Sequence, residues 1–111
     1  MSEDILRISL ITPTYNEREN IPILAEEIFA VIAQYPEIDL ELIVVDDNSP
    51  DGTGDLAEEL KDRYPIQVVH REGKLGLGSA VMAGFAHSDR ELLGVIDADL
   101  SHDPVVLPQL I

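Results

Sequence analysis

The sequence has no cysteine and no tryptophan, and it has only 7 lysines and arginines against 22 aspartates and glutamates. Without cysteine, disulfides and thiolate metal sites are excluded. A formal net charge of −15 disfavours electrostatic binding of nucleic acid, so no nucleic-acid partner is expected. An anionic ligand would need a metal ion or a local group of cations. Adaptation of a cytosolic protein to high salt would give the same acidic composition.

Long apolar runs are also missing. No stretch approaches the ~18 residues of a membrane span, and residues 1–4 are acidic, unlike a secretory signal. We therefore expect a cytoplasmic chain without a transmembrane segment. Its 111 residues, 45% of them hydrophobic, form one domain or part of one. A helix predicted to begin at Asp103 and Pro104 has barely started at Ile111, so we expect the N-terminal part of a longer domain.

Strands and helices alternate along the chain. Runs rich in β-branched residues predict strands, and apolar residues at helical spacing predict helices. The predicted strands are residues 6–11, 40–45, 66–70 and the run that begins at residue 92. The predicted helices are 21–34, a second one capped by Thr53 or Asp55 that runs to about 63, and 79–86. Asn20 as N-cap and Pro22 in the first turn support the first helix. This alternation predicts a mostly parallel, doubly wound α/β sheet with helices on both faces.

Polar and acidic residues follow three of the predicted strands. Right-handed crossovers place all strand exits of such a sheet on one edge, where ligands bind. The residues concerned are Tyr15 and Glu17, Asp46 and Asp47, and Asp97 and Asp99. Residues 12–17 are predicted as the loop after the first strand. The sequence thus predicts a polar ligand site at this edge.

The stretch 92–99 carries the sharpest of these signals. Its apolar first half predicts a strand buried on both faces. Asp97 and Asp99 at its end are costly to desolvate, so they belong either to a solvated loop or to a cation site. Their position after a buried strand favours the cation. Hard carboxylate oxygens favour Mg²⁺ or Mn²⁺ over Zn²⁺.

Two other loops leave alternatives open. One of Asp46 and Asp47 is expected to cap turn amides, while a carboxylate here can also accept hydrogen bonds from ribose hydroxyls or a base edge. Lys74 lies in the glycine-rich segment 73–78, which is either a flexible turn or a holder for a diphosphate at the next helix N-terminus. The segment matches neither a Walker A motif nor G-x-G-x-x-G.

Four segments together resemble the polyprenyl-phosphate (dolichyl-phosphate) mannosyltransferases, inverting family 2 glycosyltransferases of the GT-A fold. They are PTYNEREN at 13–20, VVDDNSPDGT at 44–53, GKLGLGSA at 73–80 and DADLSH at 97–102. The resemblance covers nearly the whole chain in the family's motif order. It implies a Rossmann-like nucleotide-binding half of a GT-A domain over 1–111. It also implies transfer of a sugar, usually mannose from GDP-mannose, to a membrane polyprenyl phosphate.

The resemblance also implies roles for individual residues. The nucleoside would be held by Pro13, Tyr15, Glu17, Val45 and Asp47, with Ala98 backing the nucleotide and Lys74 and Arg71 assisting at the diphosphate. Asp97 and Asp99 would ligate the Mg²⁺ or Mn²⁺ that bridges the diphosphate. Ser101 stands where some members have a glutamine at the metal site.

The implied acceptor loop and membrane-associating segments would lie beyond residue 111. The full-length protein is therefore expected at the cytoplasmic face of a membrane, and residues 1–111 alone are expected to bind nucleotide weakly without turnover. One alternative is a family 2 transferase that uses a UDP-sugar such as UDP-glucose. Another is a non-catalytic nucleotide-binding domain. A dinucleotide oxidoreductase fits less well, since the first strand is not followed by the glycine fingerprint.

Overall fold

The chain forms an α/β structure in a computed structural model that describes residues 5–73 and 76–98. The elements in order are β1 (Leu6–Thr14), α1 (Ile21–Ile32), β2 (Ile38–Asp46), α2 (Thr53–Leu60), β3 (Ile66–His70), α3 (Leu77–Ala86) and β4 (Leu92–Val95). The strands form one parallel sheet in the order β3-β2-β1-β4. The predicted fold class is confirmed. Lys74, Asp99, Ser101 and the helix predicted at Asp103 lie outside the described residues.

Helices cover both faces of the sheet, because successive strand residues point to opposite sides. On one face, Leu10, Leu42 and Val44 belong to a buried cluster with α1 and α2. On the other face, Ile11, Ile43 and Val45 are buried in a cluster with Ala80 of α3. The two clusters make the sheet a fully covered layer at β1 and β2.

A close approach between α3 and the sheet depends on Gly84. A Cβ added there would lie 2.5 Å from Cγ2 of Ile11 and 3.2 Å from Cγ2 of Val45. Because interiors are close-packed, any larger residue at this position must displace α3 from β1 and β2. The glycine therefore sets the distance between the helix and the strands that carry the site.

Strand β1 is longer than predicted. Residues 12–14, predicted as loop, are its last three residues and pair with β2, with Pro13 opposite Val45. The ladder to β4 ends after Ile11, whose carbonyl accepts the N–H of Ile96 at 2.9 Å. Pro13 has its backbone nitrogen on that same side, where no described strand pairs with it. Its missing N–H therefore costs no ladder hydrogen bond.

The predicted burial of β4 on both faces is wrong. Leu92, Leu93 and Val95 are 39%, 44% and 46% exposed, whereas Ile96 and Ala98, just after the strand, are each 2% exposed. Within the described residues β4 pairs with β1 alone and forms an edge of the sheet. An apolar run indicates that a strand can be buried, but the neighbouring elements decide whether it is.

The helix boundaries differ from the predictions at a few ends. α1 ends at Ile32 and α2 at Leu60, each a few residues early, while α3 starts two residues early. Gly52, in a left-handed conformation at φ 88°, is the N-cap of α2 in place of the predicted Thr53 or Asp55, which lie inside the helix. Asn20 is the N-cap of α1, but its side chain donates to Glu17 Oε1 at 2.9 Å instead of capping the helix. Among the described residues no helix has both the length and the apolarity that crossing a membrane requires.

Candidate functional site

A cleft of about 270 Å³ opens at the C-terminal edge of the sheet. Its lining residues are Pro13, Thr14, Tyr15, Glu17, Asp47, Gly76 and Ala80. They come from the exits of β1 and β2 and from the start of α3, which parallel strands bring to one edge. β1 lies between β2 and β4, so the chain crosses over in opposite directions on its two sides. The cleft thus adjoins a topological switch point, where ligands bind in open α/β sheets.

Asp47, in the wall of the cleft, forms an ion pair with Arg71. Nε of Arg71 donates to Oδ1 of Asp47 at 2.6 Å, and Nη2 donates to Oδ2 at 2.9 Å. The two side chains are only 9% and 8% exposed. The hydrogen bond to Asp47 raises the pKa of Arg71 above its ordinary value. The carboxylate that the resemblance assigns to the nucleoside is therefore held in a fixed orientation, with its charge balanced.

Arg71 also reaches the start of α3. Its Nη1 donates to Ser79 Oγ at 2.6 Å, and Nη2 donates to the Gly76 carbonyl at 3.3 Å. The backbone N–H of Arg71 donates to the Asp46 carbonyl at 2.8 Å. This guanidinium contacts Asp47 and the first turn of α3, and its expected role near a diphosphate stays a prediction. It joins the exits of β2 and β3 to the start of α3.

Asp46 is the structural member of the aspartate pair. Its side chain is buried, and Oδ1 accepts hydrogen bonds from Thr14 Oγ1 at 2.7 Å and Ser49 Oγ at 2.6 Å, while Oδ2 accepts the Ser49 N–H at 3.0 Å. It ties the end of β1 to the loop before α2. A serine three residues after an aspartate is a sequence signal for the local contacts, but nothing in the sequence indicates Thr14.

Val45 and Ala98, both assigned to the nucleotide by resemblance, have side chains away from the cleft. Val45 is fully buried under α3, and Ala98 is 2% exposed in the cluster with α1. Pro13, Tyr15, Glu17 and Asp47 are the assigned residues that the structure brings together in the cleft. A role for Val45 and Ala98 stays a prediction.

The exit of β4 carries the described part of the predicted metal site. Val95 lies opposite Ile11. The N–H of Ile96 donates to the Ile11 carbonyl, so the chain stays beside β1 for one residue after β4 ends. Asp97, partly buried, follows at the edge of the sheet beside β1. Residues 5–73 and 76–98 contain no group of three or more acidic or histidine side chains that could hold a metal. The predicted set needs Asp99 and Ser101, which lie outside the described residues.

A parallel α/β sheet with a polar cleft at its switch point defines the class of nucleotide-binding α/β domains. Residues 9–111 match the model of glycosyl transferase family 2, and the chain belongs to this family. Its structural neighbours are glycosyltransferases of the GT-A fold.

The chain is similar to two curated mannosyltransferases and to a solved one. It is 45% identical over 107 residues to a dolichol-phosphate mannosyltransferase of Pyrococcus furiosus, covering 96% of this chain and 29% of that protein. It is 44% identical over 110 residues to a polyprenol monophosphomannose synthase of Mycolicibacterium smegmatis, covering 95% of this chain and 40% of that protein. A mannosyltransferase from Pyrobaculum calidifontis, solved with GDP-Man and Mn²⁺, superposes with a TM-score of 0.75 at 27% identity, over 87% of this chain and 28% of that one. The chain thus spans less than half the length of these relatives.

Proposed function

We propose that the full-length protein is an inverting, metal-dependent glycosyltransferase. It transfers mannose from GDP-mannose to a polyprenyl or dolichyl phosphate at the cytoplasmic face of a membrane. The observation that carries the proposal is that Pro13, Tyr15, Glu17 and Asp47, which come from two different loops, line one cleft. The names of the relatives point to the same donor and acceptor.

The cleft suits the nucleoside part of such a donor. Its volume of about 270 Å³ is near the lower end of the ~300–1,000 Å³ of small-molecule sites, so it fits one portion of a nucleotide sugar. Tyr15 is 39% exposed and offers an aromatic face on which a base can stack. The oxygens of Glu17 and Asp47 are acceptors suited to ribose hydroxyls or a base edge.

The proposed metal site consists of Asp97, Asp99 and Ser101. Their oxygen donors suit a hard divalent cation, and a chain without cysteine offers no soft ligand that would favour Zn²⁺. Mg²⁺ or Mn²⁺, when bound, acts as a Lewis acid towards the departing diphosphate. Its positive charge would also offset the repulsion between the phosphates and the carboxylates of Asp97 and Asp99.

The residues of this chain hold and orient the donor. A phosphate monoester acceptor is already anionic at neutral pH, since its second pKa is about 6. No strong base is therefore needed, and alignment of the acceptor behind the anomeric carbon is the main requirement. A cleft wall fixed by Arg71 and Asp47 would orient the donor at its nucleoside end.

Residues 1–111 are, in this proposal, the nucleotide-sugar-binding part of a larger GT-A domain. Coverage of 29% and 40% of the two curated relatives supports this view. The isolated segment is expected to bind nucleotide weakly and not to turn over.

Calorimetric titration of the full-length protein with GDP-mannose and with UDP-glucose, both in Mn²⁺, tests the donor. Tighter binding of GDP-mannose is expected, together with mannose transfer to dolichyl phosphate in detergent. Tighter binding of UDP-glucose would favour the UDP-sugar alternative.

A second comparison tests the metal site. Asp97→Asn should abolish the Mn²⁺ dependence of donor binding, while Asp89→Asn, an exposed position before β4, should leave it unchanged. If the double variant Asp97→Asn, Asp99→Asn kept its metal-dependent binding, the site would be misassigned. A non-catalytic nucleotide-binding domain would then be favoured.

A further inference from the structure

Three successive backbone donors of the β1–α1 loop bind side-chain oxygens of the β2–α2 loop. Asn16 donates to Ser49 Oγ at 2.9 Å, Glu17 to Thr53 Oγ1 at 2.9 Å, and Arg18 to Asp51 Oδ2 at 3.2 Å. We name these three hydrogen bonds the loop clamp. Consecutive donors at 16–18 are matched by acceptors at alternate positions of the motif SPDGT, at 49, 51 and 53.

The acceptors of the loop clamp are themselves fixed. Thr53 is fully buried, and its hydroxyl donates to Asp51 Oδ1, which also accepts the Thr53 N–H at 3.0 Å. Ser49 Oγ donates to Asp46 Oδ1 at 2.6 Å, and Asp46 is buried. Each acceptor oxygen is therefore held in a direction set by the β2–α2 loop, and it imposes that direction on the β1–α1 loop.

The clamped backbone carries cleft residues. Glu17 is inside the clamp and Tyr15 immediately precedes it, and both line the cleft. Asn16, between them, has a left-handed conformation at φ 57°, which a non-glycine residue keeps only where its surroundings enforce it. Water can satisfy N–H groups in an exposed loop, so the main effect of the clamp is to order this backbone before a ligand arrives. Ordering in advance lowers the entropic cost of binding.

We propose that Ser49, Asp51 and Thr53 are positioning residues that preorganise Tyr15 and Glu17 for the nucleoside of a nucleotide sugar. This inference rests on the proposed function and deepens it. In this inference the SPDGT motif acts on the ligand only through Tyr15 and Glu17 and does not contact it.

A matched pair of variants of the full-length protein tests the inference. Thr53→Val keeps the size of the buried side chain but removes the acceptor for the Glu17 N–H, whereas Thr53→Ser keeps the hydroxyl. In Mn²⁺, Thr53→Val should raise the Kd for GDP and the KM for GDP-mannose about tenfold, with kcat unchanged, as expected for loss of uniform binding. Thr53→Ser should leave both the Kd and the KM at the wild-type values.

Amide hydrogen exchange in the nucleotide-free protein gives a second readout. Exchange at residues 15–18 should be faster in Thr53→Val and unchanged in Thr53→Ser. Ser49→Ala, at a half-buried position, removes the acceptor for the Asn16 N–H and the hydroxyl that donates to Asp46. It should show smaller effects in the same direction, which keeps the test possible if Thr53→Val folds poorly.

The outcomes separate the two proposals. Faster exchange at unchanged Kd and KM would overturn the positioning role and leave the proposed function intact. A lower Tm and kcat at unchanged KM would assign the clamp to stability alone, which also overturns it. Failure of the wild-type protein to bind GDP in Mn²⁺ would overturn both proposals.

Discussion

Asp47 and Arg71, 24 positions apart in the sequence, form a buried two-point ion pair at 2.6 and 2.9 Å that shapes the candidate site. Arg71 continues from Asp47 to Ser79 and Gly76, so a single guanidinium fixes the end of β2 relative to the start of α3. A planar guanidinium suits this task because its donors have a rigid arrangement that a lysine lacks. Contacts within the protein therefore fix this wall of the cleft.

Loss of this guanidinium should be costly. Arg71→Ala leaves the Asp47 carboxylate, which lines the open cleft, without two hydrogen-bond donors, so we expect the free energy of unfolding to fall by about 1–3 kcal/mol. Arg71→Lys keeps the charge but not the two-point contact and should cost less. Urea denaturation measures both.

The control for Arg71 is Arg63→Ala. Arg63 is exposed and lies 5.1 Å from the centre of the Tyr64 ring. Its removal should cost no more than about 1 kcal/mol. Equal losses at the two arginines would show that the Asp47 pair is not a special contact.

Gly84→Ala should destabilise the packing of α3 on the sheet. The new Cβ would lie 2.5 Å from Ile11 Cγ2, and overpacking of this kind costs about 1–3 kcal/mol. Gly78→Ala, in the same helix, meets no atom within 4 Å and should instead stabilise the protein by up to about 1 kcal/mol. Thermal melts of the two variants should therefore shift in opposite directions. A shift to lower Tm in both would argue against close packing as the cause.

Asp46→Ala should loosen the edge of the sheet. Thr14 Oγ1 loses its buried acceptor, and Ser49 loses the acceptor for both its hydroxyl and its N–H. A cost of about 1–3 kcal/mol is expected for polar groups left without partners. Amide exchange of the Ser49 N–H should also become faster. Asp89→Ala, at an exposed position, serves as the control, and a similar loss there would contradict the assignment.

Acid should weaken the β2–α2 loop through Asp51. Burial raises the pKa of Asp51, but hydrogen bonds from Thr53 and from the backbone of Arg18, with the charge of Arg18, lower it more, so the net pKa is below its usual value. Ionised Asp51 therefore stabilises the fold above the unfolded-state pKa, and this contribution is lost as the pH falls through the folded-state pKa. The affected window lies below pH ~4.

Urea midpoints of the wild type and of Asp51→Asn, measured from neutral pH down to pH ~3, check this prediction. The variant keeps the shape of the side chain but cannot ionise, so its midpoint should fall less steeply below pH ~4 than that of the wild type. Parallel curves would show that ionisation of Asp51 does not contribute.

A similar acid dependence is expected at Glu58. The hydrogen bond with His70 is the main reason why the pKa of Glu58 lies below its usual value. Burial raises this pKa, while the hydrogen bond and the charge of Lys61 lower it further. Glu58→Gln should therefore also reduce the loss of stability in acid. The comparison uses the same urea midpoints.

Much of the fold was determined by the sequence alone. Alternation of apolar runs with helical patterns predicted the α/β class, and β3 has the predicted bounds, because local periodicity and turn residues are enough to define elements. The spacing of motifs likewise placed Tyr15, Glu17 and Asp47 at strand exits, and the parallel sheet brings these exits to one edge.

Other features were decided by the tertiary structure. Asp46 and Asp47 are adjacent and identical in type, yet one is buried on Thr14 and Ser49 and the other faces the cleft, because successive strand residues point to opposite faces. The partner of Asp47 comes from the next strand exit, and the exposure of β4 depends on which strands flank it. Such contacts join residues far apart in the chain, so local sequence patterns do not predict them.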